Sequence, residues 1–389
     1  MRVLSVIGTR PEAIKMAPII RALEADNRFS AAVCSTGQHR EMLDQVTQFF
    51  SIRVDFNLAI MQPGQDLFDV TAAVLLGMRR ILREFKPQII LVHGDTSTCF
   101  AASLAAFYEG IAVAHVEAGL RTGSMQAPFP EEANRSLVAR IAKYHFCPTQ
   151  QAQLNLLNEG VSANLTQVTG NSVIDALLTA QQLIQKNLTQ QDWIDTFGEA
   201  LVTRITDPEN KMVLITGHRR ENFGQGFIDI CKSIAHLADH NQNTLFVYPV
   251  HLNPNVSAPV FQLLSGRHNI ALIAPQEYAP FIWLMSNAYL ILTDSGGIQE
   301  EAPSLNKPVL VMRETTERPE ALAAGTIKLV GTNFDEITTA VQRLLENHND
   351  QYARMASAQN PFGDGQTTKR IIEFLVGTTE FKTTEQALT

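Results

Sequence analysis

Short runs of β-branched and other apolar residues recur along this chain, and almost every run stops at a glycine or a polar cluster. In the first half they read VLSVIG, AAVCSTG, IILVHGD, AVAHVEAG and YHFCPT; in the second, MVLITGH, LFVYPVH, IALIAP, YLILTDSGG, PVLVMRE and IKLVG. Helical patterns separate them. This alternation predicts parallel strands joined by crossover helices, and runs apolar on both faces suit strands covered by helices on either side. The terminating clusters are Gly8-Thr9-Arg10, Gly94-Asp95, Glu117-Ala118-Gly119, Gly217-His218, His251 and Ser295-Gly296-Gly297. Ligands of open α/β sheets bind outside the carboxyl ends of strands. Such clusters in both halves predict an α/β protein with two doubly wound domains facing a central cleft.

Length agrees, since 389 residues exceed one ordinary core. The net charge of −8, without any Lys/Arg-rich block, argues against nucleic acid as the partner. A few cations concentrated in a cleft can still bind phosphates. Cys34, Cys99, Cys147 and Cys231 lack a Cys-x-x-Cys spacing and sit in or beside apolar segments, so they are expected reduced and buried. The start MRVLSVIG is too short for a signal peptide. No apolar stretch approaches the ~18 residues of a membrane span. A cytoplasmic chain that enters no membrane is expected. Residues 180–211 read as surface helix and connector anchored by Trp193 and Phe197. Near the end, NPFGDGQTTKRIIEFL predicts a turn, a Thr cap and an amphipathic helix, followed by a frayed polar tail.

Several segments carry candidate chemistry. In GTRPEAIK, Pro11 suits a first helical position, with Arg10 just before it and Lys15 about one turn in. Helix N–H groups with two cations make an anion site, although solvated cations on a capped helix would look alike. Pro18 predicts a kink. In TDSGGIQEEAP, Ser295 can cap the next helix while Gly296 and Gly297 let N–H groups approach a pyrophosphate. Glu301, about one turn on, can accept both hydroxyls of a ribose. Arg318 precedes Pro319 where a loop enters a helix; Gln276 and Phe281 can contact a uracil, or Phe281 can simply be core.

Proton transfer needs acids and bases. Asp95 and Glu117 follow strands, and Glu131 opens the helix of PFPEEANR. Three carboxylates converging on one cleft would raise one another's pKa and supply proton-transfer groups. His218 can donate to a phosphate or act as a general acid. No metal site is expected, because His-Glu-x-x-His and Cys/His spacings are missing. Without Gly-x-Gly-x-x-Gly a nicotinamide cofactor is poorly supported.

Taken in order, GTRPEAIK, TGQHREMLDQ, LVHGDTST, HVEAGLRTG, PFPEEANR, TGHRREN, YPVHLNPNV, LTDSGGIQEEAPSLNKPVLVMRETTERPEAL and NPFGDGQ closely resemble the non-hydrolysing UDP-N-acetylglucosamine 2-epimerases, from Met1 to about Leu375. The resemblance implies two Rossmann-like domains in the GT-B arrangement. Residues 1–172 would form the first, carrying the carboxylates, and residues 173–363 the UDP-binding second. A last helix at about 364–378 would cross back onto the first. It also implies a cytoplasmic homodimer that needs no cofactor and interconverts UDP-N-acetylglucosamine and UDP-N-acetylmannosamine for surface polysaccharide synthesis.

The family's nucleotide residues fall on Arg10, Gln276, Phe281, Ser295, Gly296, Gly297, Glu301 and Arg318. Those nearest sugar and diphosphate fall on Lys15, Asp95, Glu117 and His218, with Glu131 a further catalytic carboxylate. Gln38 and His39 resemble part of a second, allosteric substrate site. The implied chemistry is elimination of UDP to 2-acetamidoglucal and re-addition, without assigning a carboxylate to either face of C2. A glycosyltransferase of the same architecture, a hydrolysing epimerase and a nucleotide-sugar sensor are the competing readings.

Overall fold

The computed structural model describes residues 1–37, 40–347 and 350–386. The chain divides into two compact units, one made of Met1–Thr179 with Phe362–Thr389 and the other of Ala180–Pro361. Each is a Rossmann-like α/β domain.

In the first unit the strands are β1 (Arg2–Ile7), β2 (Ser30–Ser35), β3 (Phe56–Asn57), β4 (Ile89–His93), β5 (Ala112–Val116), β6 (Tyr144–Cys147) and β7 (Thr166–Val168). They pair in parallel in the order β3-β2-β1-β4-β5-β6-β7. Every residue of β4 is buried, as the apolar run IILVH requires of a central strand. The order reverses direction between β1 and β4, where doubly wound sheets open a ligand crevice.

The second unit repeats the plan. Its strands β8 (Lys211–Thr216), β9 (Thr244–Pro249), β10 (Ile270–Ile273), β11 (Leu290–Thr293), β12 (Val309–Val311) and β13 (Ile327–Leu329) are parallel in the order β10-β9-β8-β11-β12-β13. The reversal here falls between β8 and β11. All eleven apolar runs of the sequence are strands. Missing from the sequence reading were β3 and β7, edge strands of two and three residues, too short to carry a pattern.

Local structure departs from expectation in two places. Arg10 is the first residue of the helix Arg10–Ala25 rather than its forerunner, because Thr9 is the cap. That helix runs through the buried Pro18 to Ala25. The polar tail is helical as far as residue 386, within the helix Thr367–Gln386. The start of that helix is fixed by Asp175, whose carboxylate accepts the Thr367 and Thr368 N–H groups at 3.3 and 2.8 Å. Phe374 packs edge-on against Tyr144 and Phe146 at 5.2 and 5.3 Å. Once a helix is nucleated, each added residue extends it at little further cost.

In the second unit, Trp193 stacks on Trp283 at 4.8 Å, with Phe197 against the same ring at 5.4 Å. These two anchors seat the short helices Gln190–Phe197 and Glu199–Thr206. All four cysteines are buried free thiols. Among the described residues no helix is long and apolar enough to cross a membrane.

Candidate active site

In the first unit, three turns follow the adjacent strands β1, β4 and β5. Glu12 ties the first two together. Fully buried, it accepts the Gly8 and Thr9 N–H groups at 2.9 and 2.7 Å, the Thr9 hydroxyl at 3.0 Å and the Thr96 hydroxyl at 2.5 Å. Thr9 and Glu12 form a capping box at the helix start. Burial raises the Glu12 pKa against the pull of those bonds. Gly8 is confined as well, since a Cβ there would stand 2.6 Å from the Thr36 hydroxyl oxygen. Sequence reasoning missed Glu12, although Thr-x-x-Glu before an apolar run was the available signal.

Glu117 follows β5 with a φ of +62°, in the left-handed region that favours glycine. Holding a non-glycine residue there costs about 1–3 kcal/mol, and such strain clusters at functional sites. Its carboxylate is ion-paired with Lys15 and accepts the Asn171 amide at 2.8 Å, with His93 Nε2 at 3.9 Å. Burial opposes ionisation, but the Lys15 ammonium, His93 and the two hydrogen bonds outweigh it. The Glu117 pKa therefore lies well below the usual carboxylate range. The expectation that converging carboxylates raise one another's pKa fails at Glu117, because Lys15 supplies it with a counter-ion. Asp95 is ion-paired with Arg135, which also bonds Glu132 at 2.9 Å. The Asn134 amide donates to the Asp95 carbonyl at 2.9 Å. Arg135 and Asn134 both lie on the helix Glu131–Ile141, so Asp95 is fastened to the helix that Glu131 opens.

In the second unit, His218 follows β8 and its ring stacks on His251 at 5.3 Å and 12°. Burial lowers its pKa. Ser295 occupies the cap position of the helix Gly296–Glu301 but makes no side-chain cap bond; its own N–H donates to the Thr293 hydroxyl at 3.0 Å. A Cβ on Gly296 would meet Arg219 Nη2 at 3.4 Å and Arg318 Cζ at 3.7 Å, so two guanidinium groups approach this helix start. Glu301 returns toward Gly297, where an added Cβ would be 3.9 Å from its Oε2. Arg318 is aimed by Glu300, which accepts its Nε–H at 2.7 Å. Open N–H groups with paired guanidinium groups suit a phosphate anion.

The structure thus brings Arg10, Lys15, Asp95 and Glu117 to neighbouring turns of one sheet, with Glu131 on the helix bound to Asp95. It brings His218, Ser295, Gly296, Gly297, Glu301 and Arg318 to the β8–β11 reversal of the other. Gln276 and Phe281 stand apart, after the edge strand β10. The Gln276 amide donates to the Ala274 carbonyl at 2.7 Å, and Phe281 is half-buried on the helix Tyr278–Asn287. Gln38 and His39 lie outside the described residues. The sequence sets Arg219 and Arg220 side by side after His218 without distinguishing them, and only the fold says that Arg219 approaches Gly296.

Known proteins share this design. The family model described as UDP-N-acetylglucosamine 2-epimerase matches residues 21–376. The UDP-N-acetylglucosamine 2-epimerase of Salmonella typhimurium is 56% identical over 377 residues, which cover 96% of this chain and 98% of that protein. The Escherichia coli K12 protein of the same name matches at the same 56% and the same coverage. A crystal structure of the Neisseria meningitidis UDP-GlcNAc 2-epimerase bound to UDP-GlcNAc superposes with a TM-score of 0.86 at 49% identity, covering 97% of this chain and 100% of that one. With fold, motifs and nearly the whole length in agreement, this chain belongs to the UDP-N-acetylglucosamine 2-epimerase family.

Proposed function

We propose that the protein is a non-hydrolysing UDP-N-acetylglucosamine 2-epimerase, interconverting UDP-N-acetylglucosamine and UDP-N-acetylmannosamine. The observation that carries this is the match over nearly the entire chain at 56% identity to an enzyme of that name.

The C2 proton of the sugar is not acidic, because its neighbour C1 is an acetal carbon rather than a carbonyl. Elimination gets round this. The C1–O bond breaks with its electron pair leaving on the diphosphate, and a carboxylate takes the C2 proton, giving 2-acetamidoglucal and UDP. Re-addition of UDP with protonation on the opposite face completes the inversion. We assign the proton transfers to Asp95, Glu117 and Glu131. The Lys15 pairing keeps the Glu117 carboxylate ionised at neutral pH, and the same pairing weakens it as a base, so proton abstraction by Glu117 requires the substrate to loosen that ion pair.

The leaving diphosphate is assigned to the second unit. The start of the helix Gly296–Glu301, Arg318 and His218 stabilise its charge without having to reorganise, and Arg219 joins them. Glu301 takes the ribose, and Gln276 with Phe281 the uracil. In the first unit Arg10, the first residue of the helix that Glu12 fastens, is assigned to the nucleotide as a cation.

Proton NMR of the purified protein with UDP-N-acetylglucosamine in D₂O tests the assignment. UDP-N-acetylmannosamine bearing deuterium at C2 is expected. Free N-acetylmannosamine with UDP would instead make the protein a hydrolysing epimerase, and no turnover would remove the assignment.

We further propose a cytoplasmic homodimer. Phe68, at the start of the helix Leu67–Phe85, and Phe107 and Tyr108, at the end of the helix Ser97–Tyr108, are 84%, 60% and 69% exposed, which supports apolar surface open to a partner. Light scattering should give twice the chain mass. Regulation by the substrate through Gln38 and His39 belongs to the same reading. Hyperbolic reverse kinetics with no need for added UDP-N-acetylglucosamine would count against it.

A further inference from the structure

Asp294 follows β11 and is completely buried. A carboxylate removed from water needs strong donors, and Asp294 Oδ2 has them. The backbone N–H groups of His218 and Arg219 each donate to it at 2.8 Å, and the Asn222 amide does so at 3.3 Å. Asn222 also donates to the Met312 carbonyl at 3.1 Å, which fixes the amide in place.

Oδ1 of the same carboxylate is buried and has no hydrogen-bond partner among the described residues. His218 Nδ1 lies 3.7 Å from it. A buried carboxylate oxygen left open is costly, because it gives up its bonds to water without replacement. It is retained where the open oxygen has a function. The His218 ring is 43% exposed, so the side of the imidazole away from Asp294 reaches solvent.

We propose that Asp294 is a positioning residue for His218, holding its Nδ1–H so that Nε2 is presented to the substrate. The proposal rests on the reading of His218 as a group facing the diphosphate. Asp294 grips the main chain of His218 through one oxygen and orients its ring through the other, setting the place and the tautomer of the imidazole together. When Nε2 gains a proton, the imidazolium sits beside a fixed negative charge and donates to the departing diphosphate oxygen. The other groups facing the ring are His251, stacked on it from the end of β9, and the neighbouring Arg219; both oppose a positive charge on His218. Asp294 is the one carboxylate among these that favours it.

The test is histidine-selective NMR of the ¹⁵N-labelled full-length protein, with His218 assigned from its absence in His218→Gln. In the wild-type protein the neutral ring should carry its proton on Nδ1. In Asp294→Asn the amide oxygen still serves the two N–H groups while the NH₂ faces Nδ1. The proton should then move to Nε2 and the titration midpoint fall by about one unit, a tenfold loss of proton affinity. The kcat for UDP-N-acetylglucosamine should drop about tenfold or more with KM little changed.

A wild-type ring protonated on Nε2 would overturn the proposal without any variant. So would an unchanged tautomer and midpoint in Asp294→Asn. Full turnover by His218→Gln would overturn the catalytic reading of His218, and its positioning with it, whatever the NMR gives.

Discussion

The Glu12 carboxylate accepts the Thr96 hydroxyl at 2.5 Å, joining the turn after β1 to the turn after β4 from inside the protein. Arg10 stands beside one end of that link and Asp95 beside the other. Glu12→Ala would strand the Gly8 and Thr9 N–H groups as well as the hydroxyl. Each buried donor left open costs about 1–3 kcal/mol, so urea unfolding should show a loss of about 3 kcal/mol or more. Turnover should fall too, and Glu12→Gln, which keeps a carbonyl acceptor, should lose less of both. An unchanged unfolding midpoint in Glu12→Ala would remove Glu12 from this role.

Lys15 and Glu117 give a pH prediction. The folded pKa of Glu117 is depressed below its ordinary 4.5. Its contribution to stability is therefore complete above that value and is lost as pH falls toward the folded pKa. Lys15→Met leaves the carboxyl buried without its counter-ion and raises its pKa. The acid limb of the pH–rate profile should move to higher pH, and kcat at neutral pH should fall. A profile that keeps its acid limb would mean that Lys15 does not set the charge of Glu117.

Three buried histidines in the first unit make the fold acid-sensitive. Burial lowers the pKa of His93 to about 4, of His115 to about 3 and of His145 to about 4, from an ordinary 6.5. Above 6.5 neither state is protonated and the three contribute no pH dependence. As pH falls below 6.5 the unfolded chain takes up protons that the folded one refuses, and stability drops until the folded pKa values are reached. Each histidine adds a slope approaching ~1.4 kcal/mol per pH unit in that window. Urea unfolding at pH 7, 6 and 5 should show the decline. His145→Gln should reduce its steepness by about one proton, and a flat profile would contradict the neutral burial.

Gly296 and Arg318 test the anion site. A methyl group at Gly296 would meet only the outer ends of Arg219 and Arg318 at ordinary contact distance, so Gly296→Ala should fold normally. It would nonetheless occupy the approach to the N–H groups. Calorimetry with UDP should show binding weakened about tenfold in Gly296→Ala and in Arg318→Ala, as loss of a charge-assisted contact implies. Wild-type affinity in both would place the diphosphate elsewhere.

How far the sequence could be read depends on the reach of each interaction. Runs such as IILVH and LILT announce buried parallel strands because their burial is a property of the run itself. The turns after them carry Arg10, Asp95, Glu117 and His218, so candidate residues were legible by position alone. Partnerships were not. Nothing in the chain pairs Lys15 with Glu117, 102 residues away, or Arg135 with Asp95, and without those cations the carboxylates look mutually repulsive. Asp294 was passed over for the same reason, since its donors come from residues 218, 219 and 222. Ser295 erred the other way: a residue type common at helix caps sits at the cap position with its hydroxyl unused for capping.

The helix Thr367–Gln386 belongs to the first unit although nearly two hundred residues of the second intervene. On the ribosome this reverses the usual order of completion. The second unit is one continuous stretch and has all its strands once residue 361 has emerged. The first must wait for the last helix to bring Phe374 onto Tyr144 and Phe146 and to engage Asp175. Until then an apolar face made early in synthesis stays uncovered, and partly folded chains with such surface are prone to aggregate. A nascent chain cut off shortly before residue 362 would therefore carry its defect in the half that was translated first.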